Sequence, residues 1–417
     1  MKKSLITVLS ILLLSTACDA RPARAVSTAP TNPTSAAAQV ALKDISGHWA
    51  EATIRQSIQT GYVDGYEDQT FRPEREVSRA EFLKMVLTAV GSKTTAIPAT
   101  ATSAAAMAKA SSNWYDTYVN QAIELGFQRK DEFQDEGMDR AMTRLEMARI
   151  AVRATDPALQ KPEVSIDDRS VMYNATKKGL LQGLDAGELG PDKTTTRAQS
   201  VTIIERILAA NSGMNLEIDK YAVANAELAL KRTNIFTVMP EFFGGKGRPW
   251  NVDNLTNETP DGLYKAVVDR VVAVDLEDPN DPNRNILGDV ESLVWWGGGN
   301  NYFNVSDYPQ SYLFIVESHT EFNKDESKTM YSGVIGGLNF YLNGLESRDS
   351  KAAREGTLNQ FAWVYKPNSQ ISNAMIIPKH GVQTRGYISL SLMVPAIPPV
   401  NSNSIEVFDL LAPKVIE

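Results

Sequence analysis

Three arginines, Arg79, Arg144 and Arg197, each sit in a repeated frame, Ser/Thr-Arg-x-Glu/Gln: Ser78 to Glu81, Thr143 to Glu146 and Thr196 to Gln199. Each arginine follows a glycine by 18 positions, Gly61, Gly126 and Gly179 in turn. A guanidinium presents its donors as a planar fork and grips carboxylate oxygens in pairs. The frame is also that of a capping box, whose hydroxyl and carboxylate or amide satisfy unpaired N–H groups at a helix start. It therefore puts each arginine at the first helical position, where the dipole is positive and a cation costs about 0.3–1 kcal/mol. A cation kept there three times implies an anion beside it. Two partners fit: an anionic ligand, or an acid of a neighbouring repeat such as Glu81 or Glu146.

The elements that must position these arginines follow from the same period. After each box comes an apolar run at helical spacing: Phe82, Met85, Val86 and Ala89, then Met147, Ile150, Ala151 and Ala154, then Ile203, Ile204, Ile207 and Leu208. Gly91 and Pro157 read as stops for the first two. A second helix ends at each glycine, with Ile54 and Ile58, then Val119 and Ile123, as apolar pairs and Gly61, Gly126 and Gly179 as left-handed C′ residues. Trp49 and Trp114 lie 12 positions before the first two glycines. Gly65 and Gly183 follow the first and third by four, and Pro73 and Pro191 by 12. Each unit is thus helix, tight loop, helix, and the chain uses it three times.

This pattern resembles the S-layer homology domain family. Residues 42–50 (Leu-Lys-Asp-Ile-Ser-Gly-His-Trp-Ala), residues 61–73 (Gly-Tyr-Val-Asp-Gly-Tyr-Glu-Asp-Gln-Thr-Phe-Arg-Pro) and the Ser78 box carry most of the likeness. It spans roughly residues 40–212, read as modules over 41–91, 113–156 and 157–212 with a linker over 92–112. The resemblance implies an all-α, pseudo-threefold bundle whose inter-unit grooves bind secondary cell-wall polysaccharide or a pyruvylated envelope glycan. It places in those grooves Trp49, Gly65, Tyr66, Arg72 and Arg79 of the first unit, Trp114 and Arg144 of the second, and Gly183 and Arg197 of the third. This sequence departs from the pattern at Lys130 and Met138 in the second loop, at Asp167 and Gln199 in the third unit, and at Gln69, where a loop glycine is usual.

The N-terminus reads as an export signal: Lys2 and Lys3, an apolar stretch from Leu5 to Leu14, then Cys18, the sole cysteine of 417 residues. Its position resembles a lipoprotein box, which implies cleavage after residue 17 and a diacylated Cys18 anchored in a membrane. Ordinary cleavage after Ala17, Ala20 or Ala25 is the alternative. Residues 18–40 are Ala, Pro, Thr and Ser-rich and read as a tether.

From about residue 213 the texture changes. A helix over 221–231 precedes expected strands near 235–239, 264–274, 292–296, 311–316, 330–342, 360–365, 374–378, 385–394 and 405–410, separated by Gly, Asn, Asp and Pro clusters. That pattern predicts an antiparallel sandwich over 213–417. His48, His319 and His380 show no metal-ligand spacing, and no nucleophile elbow or phosphate loop is present. Asp275, Glu277, Asp278 and Asp281 could ligate Ca²⁺ or form ordinary Asx turns. Trp295-Trp296, followed by three glycines, could stack on sugars or end a buried strand. A net charge of −8 argues against nucleic acid. The sequence therefore reads as a non-enzymatic envelope lipoprotein, without cofactor or metal, held to wall polysaccharide and membrane. A glycan hydrolase in the C-terminal half and a surface-array subunit are the competing classes.

Overall fold

The computed structural model describes residues 42–93, 113–133, 137–325, 339–366, 373–394 and 403–417. The signal segment, Cys18, the tether, linker residues 94–112 and positions 330–338 of one expected strand lie outside them.

Each repeat delivers two helices: α1 (Glu51–Gln59) and α2 (Arg79–Lys93), α3 (Asp116–Glu124) and α4 (Arg144–Ala154), α5 (Asp168–Lys177) and α6 (Arg197–Asn211). All three capping boxes form. Ser78 Oγ accepts from Glu81 N at 3.2 Å while Glu81 returns to Ser78 N at 2.9 Å; Thr143 with Glu146 and Thr196 with Gln199 do the same. Gly61, Gly126 and Gly179 take φ of +77°, +69° and +70°, the left-handed geometry that reverses the chain after α1, α3 and α5. Gln69, where the resemblance leads one to expect a glycine, takes φ +62°. Two expected stops differ. Gly91 lies inside α2, which runs on to Lys93, and Pro157 opens a further helical turn, Pro157–Gln160, capped by Asp156.

The first helix of each repeat packs on the second helix of a neighbour: α3 on α2, α5 on α4, and α1 on α6. The circuit closes on itself around one apolar core that includes Ile54, Phe82, Val86, Ile150 and Ile204. At its centre three backbone hydrogen bonds form a triangle, from Met142 N to Val77 O at 2.8 Å, Thr195 N to Met142 O at 2.9 Å and Val77 N to Thr195 O at 3.0 Å.

A seventh helix, α7 (Lys220–Lys231), leads into eleven strands among the described residues: β1 (Gly247–Arg248), β2 (Thr256–Glu258), β3 (Tyr264–Asp275), β4 (Val294–Gly298), β5 (Asn301–Asn304), β6 (Ser311–Asn323), β7 (Asn339–Leu345), β8 (Ala362–Tyr365), β9 (Ala374–Pro378), β10 (Thr384–Val394) and β11 (Asn403–Leu411). They form a seven-stranded sheet, β2-β3-β6-β9-β8-β4-β5, and a four-stranded sheet, β1-β11-β10-β7. Every pairing is antiparallel. One core lies between the sheets, with Val271, Phe314 and Ile377 meeting Leu342, Ile388 and Val407. A second core covers the other face of the large sheet with Trp295, Val290 and Leu293 over Val272, Ile315 and Ile376. Burial on both faces explains the uninterrupted apolar run in β3.

The expected strand over 235–239 is instead a helical turn, Ile235–Val238. The buried Asn234 side chain takes the place of a strand neighbour, donating to Ala273 O at 2.9 Å and accepting from Ala273 N at 2.7 Å, and Pro240 follows with no N–H to give. Residues 290–292 are a 3₁₀ turn under Asp289, so β4 starts at Val294. The acidic run forms Asx turns, with Asp275, Asp278 and Asp281 accepting from the backbone N–H two residues on, and Lys379 Nζ lies 2.6 Å from Asp275 and 2.7 Å from Glu277. Residues 42–417 form one compact unit in which α7 touches both the helical repeats and the sheets. Asp219 caps α7 and accepts from Gly183 N at 2.9 Å; Asn225 donates to Gly187 O at 2.9 Å; Tyr221 Oη donates to Asp278 at 2.6 Å.

On α7 the carboxyl of Glu227 is fully buried, accepts from Thr237 Oγ1, and is raised above its ordinary value by desolvation. The folded state thus binds this proton more tightly than the unfolded chain does. The stabilisation is complete below the unfolded pKa near 4.5 and is lost as pH rises through the folded value. Glu227→Gln should leave the denaturation midpoint unchanged at pH 4 and raise it at pH 8; equal effects at both would show that folding does not raise the pKa of Glu227.

Candidate functional site

The helix starts are where the repeats meet. Arg79 N and Ala80 N donate to Arg140 O and Met138 O; Arg144 N and Leu145 N to Lys193 O and Pro191 O; Arg197 N and Ala198 N to Arg75 O and Pro73 O. The first two unpaired donors of each second helix are satisfied by the next repeat's loop, and the third by the capping hydroxyl. The arginine side chains reach into the same loops. Arg144 donates to Gln182 O at 2.7 Å and Leu189 O at 2.8 Å. Arg197 donates to Asp64 O at 2.9 Å and Phe71 O at 3.1 Å, positions equivalent to those Arg144 uses. Arg79 donates to Gly137 O at 3.1 Å and lies 4.6 Å over the ring of Phe133.

The three differ in what meets their charge. Arg79 holds both carboxylate oxygens of Glu146 through the Nε–Nη2 edge of its guanidinium, and its side chain is 3% exposed. Glu146 therefore closes its own capping box and neutralises the arginine of the preceding repeat. At the equivalent place beside Arg144 stands Gln199, which caps equally well but carries no charge. Arg144 is buried at 4% exposure, and among the described residues no carboxylate lies within ion-pair distance of it. Glu188, whose charge acts on Arg144 from a distance, is paired with Lys193 at 2.8 Å. Burial pulls the pKa of Arg144 down, as expected for an uncompensated cation. Arg197 is also buried and lowered by desolvation; it lies 4.6 Å over Phe71 and 5.3 Å over Tyr66, while the equivalent acid, Glu81, is engaged by Arg75 at 2.8 Å.

A groove of about 260 Å³ opens beside Arg144. Trp49 forms one wall, 63% exposed; Leu180 to Leu184, including Gly183, form another; Gln199, Thr202 and Arg206 of α6 form the floor. Gly183 has no room for a side chain, since a Cβ would stand 2.4 Å from Gly187. Thus three of the nine residues that the resemblance implied, Trp49, Arg144 and Gly183, come together here. The others are placed elsewhere. Trp114 is 54% exposed at the equivalent place on the second repeat. Tyr66 lies under Arg72 at 3.9 Å, and Gly65 packs against Leu42. The third equivalent site has no tryptophan and is filled by its own ion pairs, Arg153 with Glu132 at 2.8 Å and Arg149 with Asp168 at 2.6 Å. Sequence reasoning did not find Thr202 or Arg206; the signal for the groove was the Glu-to-Gln departure at 199.

The S-layer homology domain model matches residues 41–83 and 165–199. The chain carries S-layer homology domains. The unmatched middle repeat, with its degenerate loop, nevertheless makes the same contacts to its neighbours. Similar curated proteins include Exoglucanase XynX of Acetivibrio thermocellus, 27% identical over 188 residues (42% of this chain, 17% of that protein). Amylopullulanase of Thermoanaerobacterium thermosulfurigenes is 29% identical over 180 residues, 40% of this chain and 9% of that protein. A Cellulosome-anchoring protein of Acetivibrio thermocellus is 47% identical over 45 residues, 11% of this chain and 10% of that protein. The chain therefore spans a minor part of these relatives' lengths.

The Arg79–Glu146 pair makes a prediction independent of any ligand. Arg79→Ala leaves Glu146 largely buried without its partner and should destabilise the folded chain by about 3 kcal/mol, the low end for breaking a buried pair. Urea denaturation checks this; a loss below about 1 kcal/mol would mean that the pair contributes no more than a surface contact.

Proposed function

We propose that the chain attaches non-covalently to an envelope polysaccharide bearing carboxylates, such as the pyruvate ketals of secondary cell-wall polymers, through the groove of Trp49, Arg144 and Gly183. The observation that carries this reading is the setting of Arg144: a buried guanidinium with no carboxylate within ion-pair distance among the described residues, at the edge of a groove with an exposed indole wall. An aromatic face stacks on a sugar ring, and a cation drawn partly out of water gives a carboxylate a strong, directional partner. A second contact through Trp114, Arg197, Tyr66, Arg72 and Gly65 belongs to the same proposal, and Arg79 supports the assembly by holding Glu146. In this reading the S-layer homology domains anchor and do not catalyse. The relatives' names include an exoglucanase and an amylopullulanase, but the likeness covers 17% and 9% of those proteins and carries no reaction over to this chain.

Binding of the full chain to purified cell-wall sacculi tests the groove. Trp49→Ala should weaken binding about ten- to a hundredfold, the equivalent of about 1.5–3 kcal/mol, with an unchanged melting temperature because the side chain is exposed. Gln199→Glu should weaken binding similarly while leaving the fold as stable or more so, since it supplies the carboxylate that Arg144 lacks. Undiminished binding by Gln199→Glu would remove Arg144 from the ligand site.

A lipid on Cys18 belongs to the same reading: it would hold the tethered chain to a membrane while the groove holds the wall. Radiolabelled palmitate should enter the wild type and not Cys18→Ser; equal labelling of both would exclude the anchor.

A further inference from the structure

The β half contains a site that wall anchoring does not use. An open cleft of about 700 Å³ runs from the outward face of the four-stranded sheet to the far end of the seven-stranded one. The larger sheet outruns the smaller: β7 is the last strand of the small sheet, whereas β8, β4 and β5 continue beyond β9 in the large one. Where the sheets overlap, this face carries core residues such as Val271, Phe314 and Ile377. At the edge of the overlap stands Trp363, half-buried with its ring 5.5 Å from that of Phe340 on β7, and beyond it Trp296. The register Trp295 to Val364 puts Trp296 and Trp363 side by side on the face opposite the buried Trp295. Trp363 and Trp296 both line the cleft, and Tyr341 and Tyr387 line it from the small sheet, 49% and 36% exposed.

The Trp296 ring is fixed. Its Nε1 donates to Gly299 O at 3.0 Å, and Gly297 behind it is held so close that a Cβ would stand 2.4 Å from Ala353 O. Over the ring, at 5.1 Å, lies the guanidinium of Arg348, which donates to Trp296 O at 2.7 Å. Among the described residues Arg348 has no carboxylate within ion-pair distance, whereas the other rim arginine, Arg385, faces Glu346 at 3.6 Å. A locked indole, exposed phenols and a cation without a counter-charge are complementary to a sugar ring that bears a carboxylate: its apolar C–H face to the ring, its hydroxyls to Asn343 and Ser389, its carboxylate to Arg348.

We propose that this cleft is a second saccharide site, selective for an acidic, uronic acid-type sugar unit, so that the chain grips polysaccharide at both of its halves.

The test uses the full chain carrying Trp49→Ala, so that the first groove contributes little, titrated calorimetrically with tetragalacturonate and with its carboxyl-reduced, neutral tetrasaccharide. Tetragalacturonate should bind. Trp296→Ala should weaken both saccharides at least tenfold, and Trp296→Phe, which keeps an aromatic face should the alanine variant not fold, less than threefold. Arg348→Gln should weaken the acidic saccharide about tenfold and the neutral one less than twofold. Absence of binding, binding indifferent to Trp296→Ala, or an Arg348→Gln effect equal on both saccharides would each overturn the proposal. So would a finding that Trp296→Ala alters only the sedimentation behaviour of the chain, which would make the cleft a protein contact. Wall binding lost in Trp49→Ala with tetragalacturonate binding intact separates this site from the first groove.

Discussion

A helix start leaves N–H groups unpaired, and none of the three second helices of this protein satisfies them alone. Each relies on two carbonyls from the loop of the next repeat, and the third repeat returns to the first. The arginine at the first helical position lengthens that reach by contacting further carbonyls of the same loop. Its position, unfavourable for a cation on an isolated helix, becomes favourable once loop oxygens converge on the helix end. The ring of hand-overs fixes where the loops stand, and the loops are what shape the grooves.

The acid of the capping box then decides what each arginine can do. Glu146 serves two helices at once, closing the cap of α4 and neutralising Arg79. Glutamine at 199 retains the first role and drops the second, because an amide oxygen accepts the backbone N–H as well as a carboxylate oxygen does. With an amide at 199 the capping box is kept, and among the described residues Arg144 has no carboxylate within ion-pair distance. On the third side, Arg153–Glu132 and Arg149–Asp168 occupy the corresponding space with their own pairs.

Much of this was legible in the sequence because it is local. The capping boxes, the left-handed glycines and the apolar faces are set by residues within four positions of one another, and the three pairs of helices stand where those signals put them. The long strands were legible for the same reason. What the sequence did not show depends on distant partners. Asn234 turns an apparent strand into a helical turn by bonding Ala273, 39 residues away. Strands of two to four residues, such as β1, β2 and β5, carry too few positions for a period of two to register. Trp295 and Trp296 were ambiguous as a pair; the alternation of β4 divides them, one into the core and one into the cleft. Whether an arginine has an acid of a neighbouring repeat beside it was open from spacing alone, since for Arg79 it depends on a residue 67 positions away.

The central claim is that Arg144, rather than Arg79, is the arginine available to an anionic glycan. Side-chain Nε–H resonances of ¹⁵N-arginine-labelled protein, assigned by substitution and followed during titration with a pyruvylated fragment of the wall polysaccharide, measure this directly. The account predicts that the Arg144 resonance shifts on binding while that of Arg79, locked on Glu146, stays in place. Movement of Arg79 with Arg144 unchanged, or saturation of binding with neither moving, would contradict it.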